Sequence, residues 1–329
     1  MEYLNNKKIL ITGGTGTFGN AFIKRVLEEK IKKVYVFSRD ECKQWKMSQK
    51  FNDDRVQYLI GDIRDKDRLY RAFEGIDYVI HAAAQKHVPS CEYNPFEAIN
   101  TNILGSQNII NAAIDRGVKK VLAISTDKAV LPINLYGCTK AVMEKLFIYG
   151  NNYSGSNDTK FSCVRYGNVI GSRGSVVELW RKQLKENGNI TLTDLHMTRF
   201  WITIESAVYF VLQSLNLMKG EEIFVPEVRT MELKELALMF TSFDNIEITG
   251  KRQGEKLHEV LISREETQRA LKIKDFKENF FKIYKNSWEL DKDYDNWEHK
   301  ESMIFYNSNY DSSNKDNILT IEEMRNGIL

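Results

Sequence analysis

The chain predicts an α/β fold, a doubly wound parallel (Rossmann) sheet carrying a smaller C-terminal substrate-binding lobe, on three observations. Short apolar runs alternate with helical patterns through the first half, as expected for a parallel sheet built from βαβ units. The first run, Ile9-Leu10-Ile11, enters a glycine turn at Thr12–Gly19 and then a helical pattern with Phe22, Ile23, Val26 and Leu27 on one face. The third observation is the stretch Ser125 to Lys140, S-T-D-K-A-V-L-P-I-N-L-Y-G-C-T-K. It follows the apolar run Val121–Ile124 and so leaves the C-terminal end of a strand, where open α/β sheets hold ligands.

Composition narrows the class. A chain of 329 residues is long enough for a full core and two lobes. A net charge of +2 gives no reason to expect nucleic acid or an anionic membrane surface. No apolar run approaches the roughly 20 residues of a membrane span. The first strand pattern begins at Lys8, which leaves no room for a signal peptide. Four cysteines without a C-x-x-C pair fit reduced thiols in a cytoplasmic protein. His258-Glu259 begins like a zinc motif, but Ile262 stands where the second histidine would be, so no metal is expected.

Strand, glycine turn and helix in that order form the context of a dinucleotide fingerprint. Gly13 and Gly16 permit close backbone approach, and Gly19 lets the helix pack on the strand. With Thr15, Thr17 and Phe18 they would present the helix N-terminus to a pyrophosphate. The alternative is a tight turn with no ligand. The second strand, Val34–Phe37, ends in Ser38-Arg39, where an NAD site would carry an acid; an arginine there suits a 2′-phosphate, which favours NADP. Asp40 and Glu41 equally suit the start of the next helix, expected to reach about Phe51. The third strand, Val56–Ile60, leads to Asp62 and Ile63, with Asp62 either accepting from an adenine or capping a helix. The fourth, Asp77–Ile80, leads to Ala82, Ala83 and Ala84, small enough for a cofactor to lie on the backbone. Lys86 and His87 face the same cleft.

Pro95 to Arg116 reads as one long helix, whose Asn102 either braces the strand-end loop or fills a polar position. Tyr136 and Lys140 lie four apart on the helix that continues to Tyr149. An ammonium beside a phenol favours the phenolate, and a phenol so tuned can take a proton from an alcohol. Thr126, Asp127 and Lys128 precede them, offering a carboxyl acid and an amine base. Read alone, Y-x-x-x-K is equally a polar loop before a surface helix. A further strand, Phe161–Tyr166, precedes Gly167 to Ser175, whose serines, arginine and glycines ahead of a helix suggest an anion nest. These readings divide the chain into a dinucleotide-binding domain at 1–167, to which 199–222 returns, and a substrate lobe at 168–198 and 223–285. A polar tail, 286–329, ends in a short helix with a capping box at Thr320 and Glu323.

Together the motifs resemble the extended short-chain dehydrogenase/reductases, through T-G-x-x-G-x-x-G at Thr12–Gly19 and Y-x-x-x-K at Tyr136–Lys140. More closely the chain is similar to the inverting UDP-N-acetylglucosamine 4,6-dehydratases. The matching stretches are F-S-R-D-E, G-D-I-R-D, H-A-A-A-Q-K-H-V-P, S-T-D-K-A, R-Y-G-N-V-I-G-S-R-G-S-V, M-T-R-F-W and G-E-K-L-H-E. The resemblance implies that Tyr136, helped by Lys140, takes the proton of the sugar 4-hydroxyl as hydride leaves carbon 4 for NADP⁺. Lys128, as a free amine whose pKa burial and nearby cations pull down, removes the carbon 5 hydrogen, and Asp127 protonates the leaving 6-hydroxyl. Retaining relatives carry Asp-Glu where this chain has Asp127-Lys128. The resemblance also implies substrate contacts from Lys86, Asn168, Val169, Ser172, Arg173, Thr198, Arg199, Arg252 and Glu255, with Arg252 on the diphosphate. Its alternative is a solvated turn. It further implies a dimer-based homo-oligomer, up to a hexamer, serving bacterial surface-glycan synthesis. A sugar-nucleotide epimerase or reductase, and a non-catalytic NADP-binding module, are the competing readings.

Overall fold

The computed structural model describes residues 1–273, 279–294, 309–314 and 318–328. The alternation expected from the apolar runs is present. In chain order β1 (Lys8–Thr12), α1 (Thr17–Val26), β2 (Lys33–Ser38), α2 (Glu41–Lys50), β3 (Val56–Ile60), α3 (Lys66–Ala72) and β4 (Tyr78–His81) form the first half of the sheet. Short helices α4 (Val88–Tyr93) and α5 (Pro95–Ile99) then run through a π-helical turn at Asn100–Leu104 into α6 (Gly105–Asp115). The predicted long helix is therefore one element with a widened turn at its centre. β5 (Lys120–Thr126), α7 (Leu135–Gly150) and β6 (Lys160–Tyr166) complete the core repeat.

The second half begins with β7 (Asn168–Val169), α8 (Val176–Asn187), β8 (Ile190–Leu192), β9 (Thr198–Ile202) and α9 (Ile204–Leu217). It continues through β10 (Ile223–Pro226), β11 (Arg229–Glu232), α10 (Leu233–Leu238), β12 (Ile246–Ile248) and β13 (Val260–Ile262). It ends with α11 (Arg264–Thr267), β14 (Ala270–Ile273), β15 (Phe280–Ile283), α12 (Ser287–Tyr294), β16 (Tyr310–Asp311) and α13 (Ile321–Ile328).

Nine strands make one sheet in the order β14-β15-β10-β6-β5-β4-β1-β2-β3. From β3 to β10 every pairing is parallel; β15 joins β10, and β14 joins β15, antiparallel. Chain order reverses between β1 and β4, which opens a crevice at their C-terminal ends. Both faces of the sheet are covered, so strands such as Ile9–Ile11 and Val121–Ala123 are wholly buried. A second, smaller core gathers Trp180, Ile190, Leu192, Met197, Trp201 and Leu236 under the three-stranded sheet β11-β9-β7.

This sheet membership corrects the expected lobe boundaries. β10, β14 and β15 lie at the edge of the large sheet although all fall within 223–285, and β9 belongs to the small sheet although 199–222 was expected to return to the large one. Within that return it is α9 that does so, packing on α1, β5 and β6. Short apolar strands carry no mark of which sheet they join; pairing partners decide it. The tail also differs from expectation. The capping box at Thr320 and Glu323 forms, but Met324 is buried in the small core and Tyr310 in the large one. Of that tail, residues 295–308, 315–317 and 329 lie outside the described residues.

Under α7 lies a buried ion cluster. Arg165 on β6 donates to both oxygens of Glu144 on α7 (3.0 and 2.7 Å) and to both of Glu266 on α11 (3.0 and 3.0 Å). Replacing Arg165 by Met leaves buried Glu144 without its cation and half-buried Glu266 with only Arg269 at 3.8 Å, so we expect a loss of about 3–5 kcal/mol, read as a lower urea midpoint at unchanged slope. Burial alone would raise the pKa of Glu266, but Arg165 holds it at about 2, below its ordinary 4.5. The folded value lies below the unfolded one. The stability it contributes is therefore complete above pH 4.5 and is lost as pH falls towards 2. Arg165→Met should flatten that acid limb in denaturation curves taken across the range.

Candidate active site

The crevice between β1 and β4 widens into a cleft of about 1040 Å³ that reaches the small lobe. Its floor is the glycine turn. Gly13 has φ +66, and a Cβ there would stand 2.9 Å from the backbone of Ala83. A Cβ on Gly19 would stand 2.1 Å from the Gly14 carbonyl oxygen, so the helix can meet the turn only as glycine. No side chain caps the N-terminus of α1, and its first turn holds no acid. Together these form a cradle for a pyrophosphate. Thr12 ties the two strand ends together: its Oγ1 accepts from the N–H groups of Ala82 and Ala83 (both 3.2 Å) and bonds His81 Nδ1 at 2.8 Å. His81 passes the chain on to Ser106 at 3.2 Å. Burial, aided by Lys140, keeps the His81 ring neutral with a pKa near 3.

Asn102 resolves its two alternatives in favour of bracing. Its Oδ1 accepts from Gln85 N–H (2.8 Å), and its Nδ2 donates to the Gln85 carbonyl (2.9 Å) and to Thr139 on α7 (3.0 Å). The loop after β4 is thereby locked to the helix that carries Tyr136. At the outer end of the crevice, Asp40 N-caps α2 by accepting from Lys43 N–H at 2.9 Å. Asp62 caps nothing; Asp65 is the N-cap of α3. Asp62 accepts instead from Arg64, and from Arg39 at 3.3 Å. Arg39 is exposed beside it.

The stretch from Thr126 to Lys140 closes the inner end. Asn134 N-caps α7 through Gly137 N–H at 2.8 Å, and its Nδ2 reaches the Gly254 carbonyl at 2.8 Å. The Arg252–Glu255 turn, where Glu255 accepts from Arg252 N–H at 3.0 Å, is thus hooked to the start of the helix. Of the candidate catalytic, cofactor-binding and substrate-binding residues, all line this cleft except Asp127 and Thr198. Asp127 is fully buried behind Lys128, and Thr198 lies in β9, with its hydroxyl on His258 Nδ1 (2.8 Å) and Ser312 Oγ (2.6 Å).

Three expectations need correction. Lys128 is not a free amine with a depressed pKa. Burial works against its charge, but the carboxylates of Asp127 (3.1 Å) and Glu259 (3.4 Å) outweigh burial and the nearby Arg199, and raise the pKa above the ordinary lysine value. The Tyr136 phenol does not have the lowered pKa expected of it. Lys140 Nζ donates to the Ile124 carbonyl at 2.6 Å and contacts Met143 Sδ at 2.8 Å, while burial pulls its own pKa down to about 8. Burial pushes that phenol up to about 12, although the Lys128 charge and the Thr126 hydroxyl pull the other way. The third concerns the expected anion nest. Its N–H groups are already engaged: Arg173 N–H by Thr17 Oγ1 (3.1 Å), Gly174 N–H by Glu178 (2.6 Å) and Ser175 N–H by the Ser172 carbonyl (3.1 Å). Glu178 is itself the anion at the start of α8.

Glu259 carries no role in the sequence reading, where it figures in an incomplete zinc motif and as the end of the G-E-K-L-H-E stretch. Its signal was an acid immediately ahead of the buried run Val260–Ile262. Among the described residues no group of His, Cys, Asp and Glu could hold a metal ion, and no helix is long and apolar enough to cross a membrane.

The family described as polysaccharide biosynthesis protein matches residues 9–279. The chain belongs to that family. It is 48% identical over 88% of its length, and 86% of the other chain, to a protein of Campylobacter jejuni subsp. jejuni serotype O:2 named UDP-N-acetylglucosamine 4,6-dehydratase (inverting). A Rickettsia bellii protein named UDP-glucose 4-epimerase is 45% identical, over 80% of each chain. Among solved structures, Pen from Bacillus thuringiensis superposes with a TM-score of 0.88 at 40% identity, over 98% of this chain and 97% of that one. DesIV, a dTDP-glucose 4,6-dehydratase from Streptomyces venezuelae, shares the fold, with a TM-score of 0.70 at 22% identity over 76% and 86% of the two chains.

Replacing Asn102 by Ala strands the Gln85 backbone groups and the Thr139 hydroxyl. We expect a stability loss of roughly 2–3 kcal/mol in chemical denaturation, with weaker dinucleotide binding by calorimetry.

Proposed function

We infer that this chain is a UDP-N-acetylglucosamine 4,6-dehydratase of the inverting type, a hydro-lyase. The observation that carries the reading is the pairing of Lys128, on the cleft wall beside Tyr136, with the buried Asp127 behind it, in a chain nearly half identical to proteins of that name. The glycine cradle, the uncapped start of α1 and the small residues Ala82 and Ala83 fit a nicotinamide dinucleotide. When bound, that cofactor accepts a hydride from carbon 4 and returns one at carbon 6. Tyr136 takes the proton of the 4-hydroxyl once its own has passed to solvent; burial disfavours that phenolate, and the Lys128 charge and the Thr126 hydroxyl oppose the burial. The resulting 4-ketone acidifies the hydrogen at carbon 5.

Water loss then needs an acid for the 6-hydroxyl and a base for carbon 5. At rest Asp127 is the carboxylate and Lys128 the ammonium, the reverse of that need. Moving one proton along the 3.1 Å Nζ–Oδ1 contact exchanges the roles without changing the charge of the pair. Lys128 then takes the carbon 5 proton and Asp127 protonates the departing oxygen. A proton returned to the opposite face of carbon 5 gives the L-configuration.

Among nicotinamide dinucleotides the reading favours NADP. Asp40 is committed to its helix cap, while exposed Arg39, held by one 3.3 Å contact to Asp62, suits a 2′-phosphate. Arg252, on its exposed turn, suits the substrate diphosphate. A dimer-based assembly fits the exposed Tyr93, Phe96 and Tyr149 on neighbouring helices, and free thiols fit a cytoplasmic setting. The family description, polysaccharide biosynthesis protein, supports supply of a deoxysugar to surface glycans, and both the capsule and the pseudaminic acid kind fit. The epimerase names among the relatives support a second reading, which the product distinguishes: an epimer in place of a 4-keto-6-deoxy sugar.

Tyr136→Phe should abolish reduction of bound cofactor by UDP-N-acetylglucosamine while the melting temperature holds; oxidation at the original rate would remove Tyr136 from the base role. Lys128→Ala should keep part of that oxidation but lose exchange of the carbon 5 hydrogen with solvent deuterium. A wild-type product with the D-configuration at carbon 5 would refute the inverting reading. Arg39→Ala should weaken NADP binding by about tenfold and spare NAD; a wild-type preference for NAD overturns the NADP assignment.

A further inference from the structure

Glu259 stands where the proposed chemistry needs a second carboxylate. The residue is buried at 3% exposure, yet it has no place in the buried core of β13. Its Oε1 lies 3.4 Å from Lys128 Nζ and its Oε2 lies 3.8 Å from Lys256 Nζ. Oε2 has no hydrogen-bond partner among the described residues, as is also true of Asp127 Oδ2. Two buried carboxylates thus flank one ammonium.

The backbone of Glu259 is held from the tail. Its N–H donates to Ser312 Oγ at 2.9 Å, and its carbonyl accepts from Ser312 N–H at 2.8 Å. Ser312 in turn donates to the Thr198 carbonyl at 3.1 Å. The family match ends at residue 279, so this clamp comes from outside the matched segment.

The groups around Lys128 come from several elements. Asp127 follows β5, Tyr136 comes from α7, Arg199 from β9, and Lys256 and Glu259 from the segment before β13. Arg199 is turned onto the carbonyls of Thr198 (2.7 Å) and Leu257 (3.1 Å), Lys256 donates to the Val130 carbonyl (2.5 Å), and the neighbouring His258 ring faces Thr198. Glu259 is therefore the carboxylate, besides Asp127, in reach of the amine among the described residues.

We propose that Glu259 is a positioning residue of the acid–base centre, which holds the Lys128 amine beside Asp127 and acts as its counter-ion while Asp127 carries a proton. The inference rests on the proposed function above. In that reaction Lys128 gains the carbon 5 proton before Asp127 has given its own to the leaving oxygen. At that stage the pair holds two protons and one positive charge, and Asp127 cannot balance it. Glu259 does, and it does so at every stage because it exchanges no proton itself. Removing its charge favours deprotonation of both Lys128 and Asp127. Both limbs of the pH profile for carbon 5 proton removal then move to lower pH.

The test is Glu259→Gln, read in two ways. The Lys128 Nζ resonance, assigned by its loss in Lys128→Ala, is titrated by nitrogen-15 NMR in the purified chain without substrate. We expect its midpoint to fall by about one pH unit or more. In single turnovers with UDP-N-acetylglucosamine, carbon 5 exchange should drop about tenfold relative to carbon 4 oxidation, with both limbs shifted acid. Glu259→Asp should restore part of each effect. Ser312→Ala keeps the carboxylate but loosens its backbone, and should shift the Lys128 midpoint in the same direction by less; it serves if Glu259→Gln does not fold. An unchanged Lys128 midpoint, or carbon 5 exchange that falls only in step with carbon 4 oxidation, overturns the proposal. A wild-type enzyme that exchanges nothing at carbon 5 refutes the functional reading instead, while the NMR titration still decides the role of Glu259.

Discussion

A half-buried ammonium governs the inner end of the cleft. Removing a charge from water costs several kcal/mol per ion, which is recovered only when opposite charges and hydrogen bonds meet it at close range. Lys128 meets two carboxylates, Asp127 beside it in sequence and Glu259 far from it. The need to bring Glu259 there constrains much of the second half of the chain. β13 must lie against the turn after β5, β16 must pair with β13, and Ser312 must bridge Glu259 to β9.

The same ammonium links the two halves of the proposed reaction. It is the cation acting on the Tyr136 phenol, and it shares a hydrogen bond with Asp127. A change in its protonation is felt by the phenol and the carboxylate together. Lys140, the usual candidate for that influence on sequence spacing, is spent on the Ile124 carbonyl and so fixes α7 against β5. The buried Arg165 cluster braces the next turn of the same helix through Glu144. α7 is thus positioned from below by ion pairs, from the side by Asn102 and Thr139, and at its start by Asn134. A site that transfers protons over about 3 Å needs such rigidity, because small misplacements cost large factors in rate.

Much of this was legible in the residues. The strand–glycine-turn–helix order at the start of the chain allowed a single βα unit with a cradle, because a Cβ at Gly13 or Gly19 would collide with backbone. Strong 3.6-residue and continuous apolar patterns marked β1 to β6 and their helices. The run from Thr126 to Lys140 announced an acid, an amine and a phenol at a strand end. These features are local: each depends on residues within a turn or two of one another.

What the tertiary structure decided are the properties that depend on distant partners. Whether Lys128 is an amine or an ammonium turns on burial, on Asp127 beside it and on Glu259, which sequence spacing could not bring near. Whether the Arg173–Ser175 loop is an open nest turns on Thr17 and Glu178 having claimed its N–H groups. Whether Ile223–Pro226 belongs to the large or the small sheet turns on pairing with β6 and β15. A tail that reads as polar carries Tyr310, Ser312 and Met324 into the cores and the site because three-dimensional packing, not local composition, selects the residues to be buried. Local sequence set the chemistry available at each strand end. The protonation states and their positions came from electrostatics and packing between segments that meet only on folding.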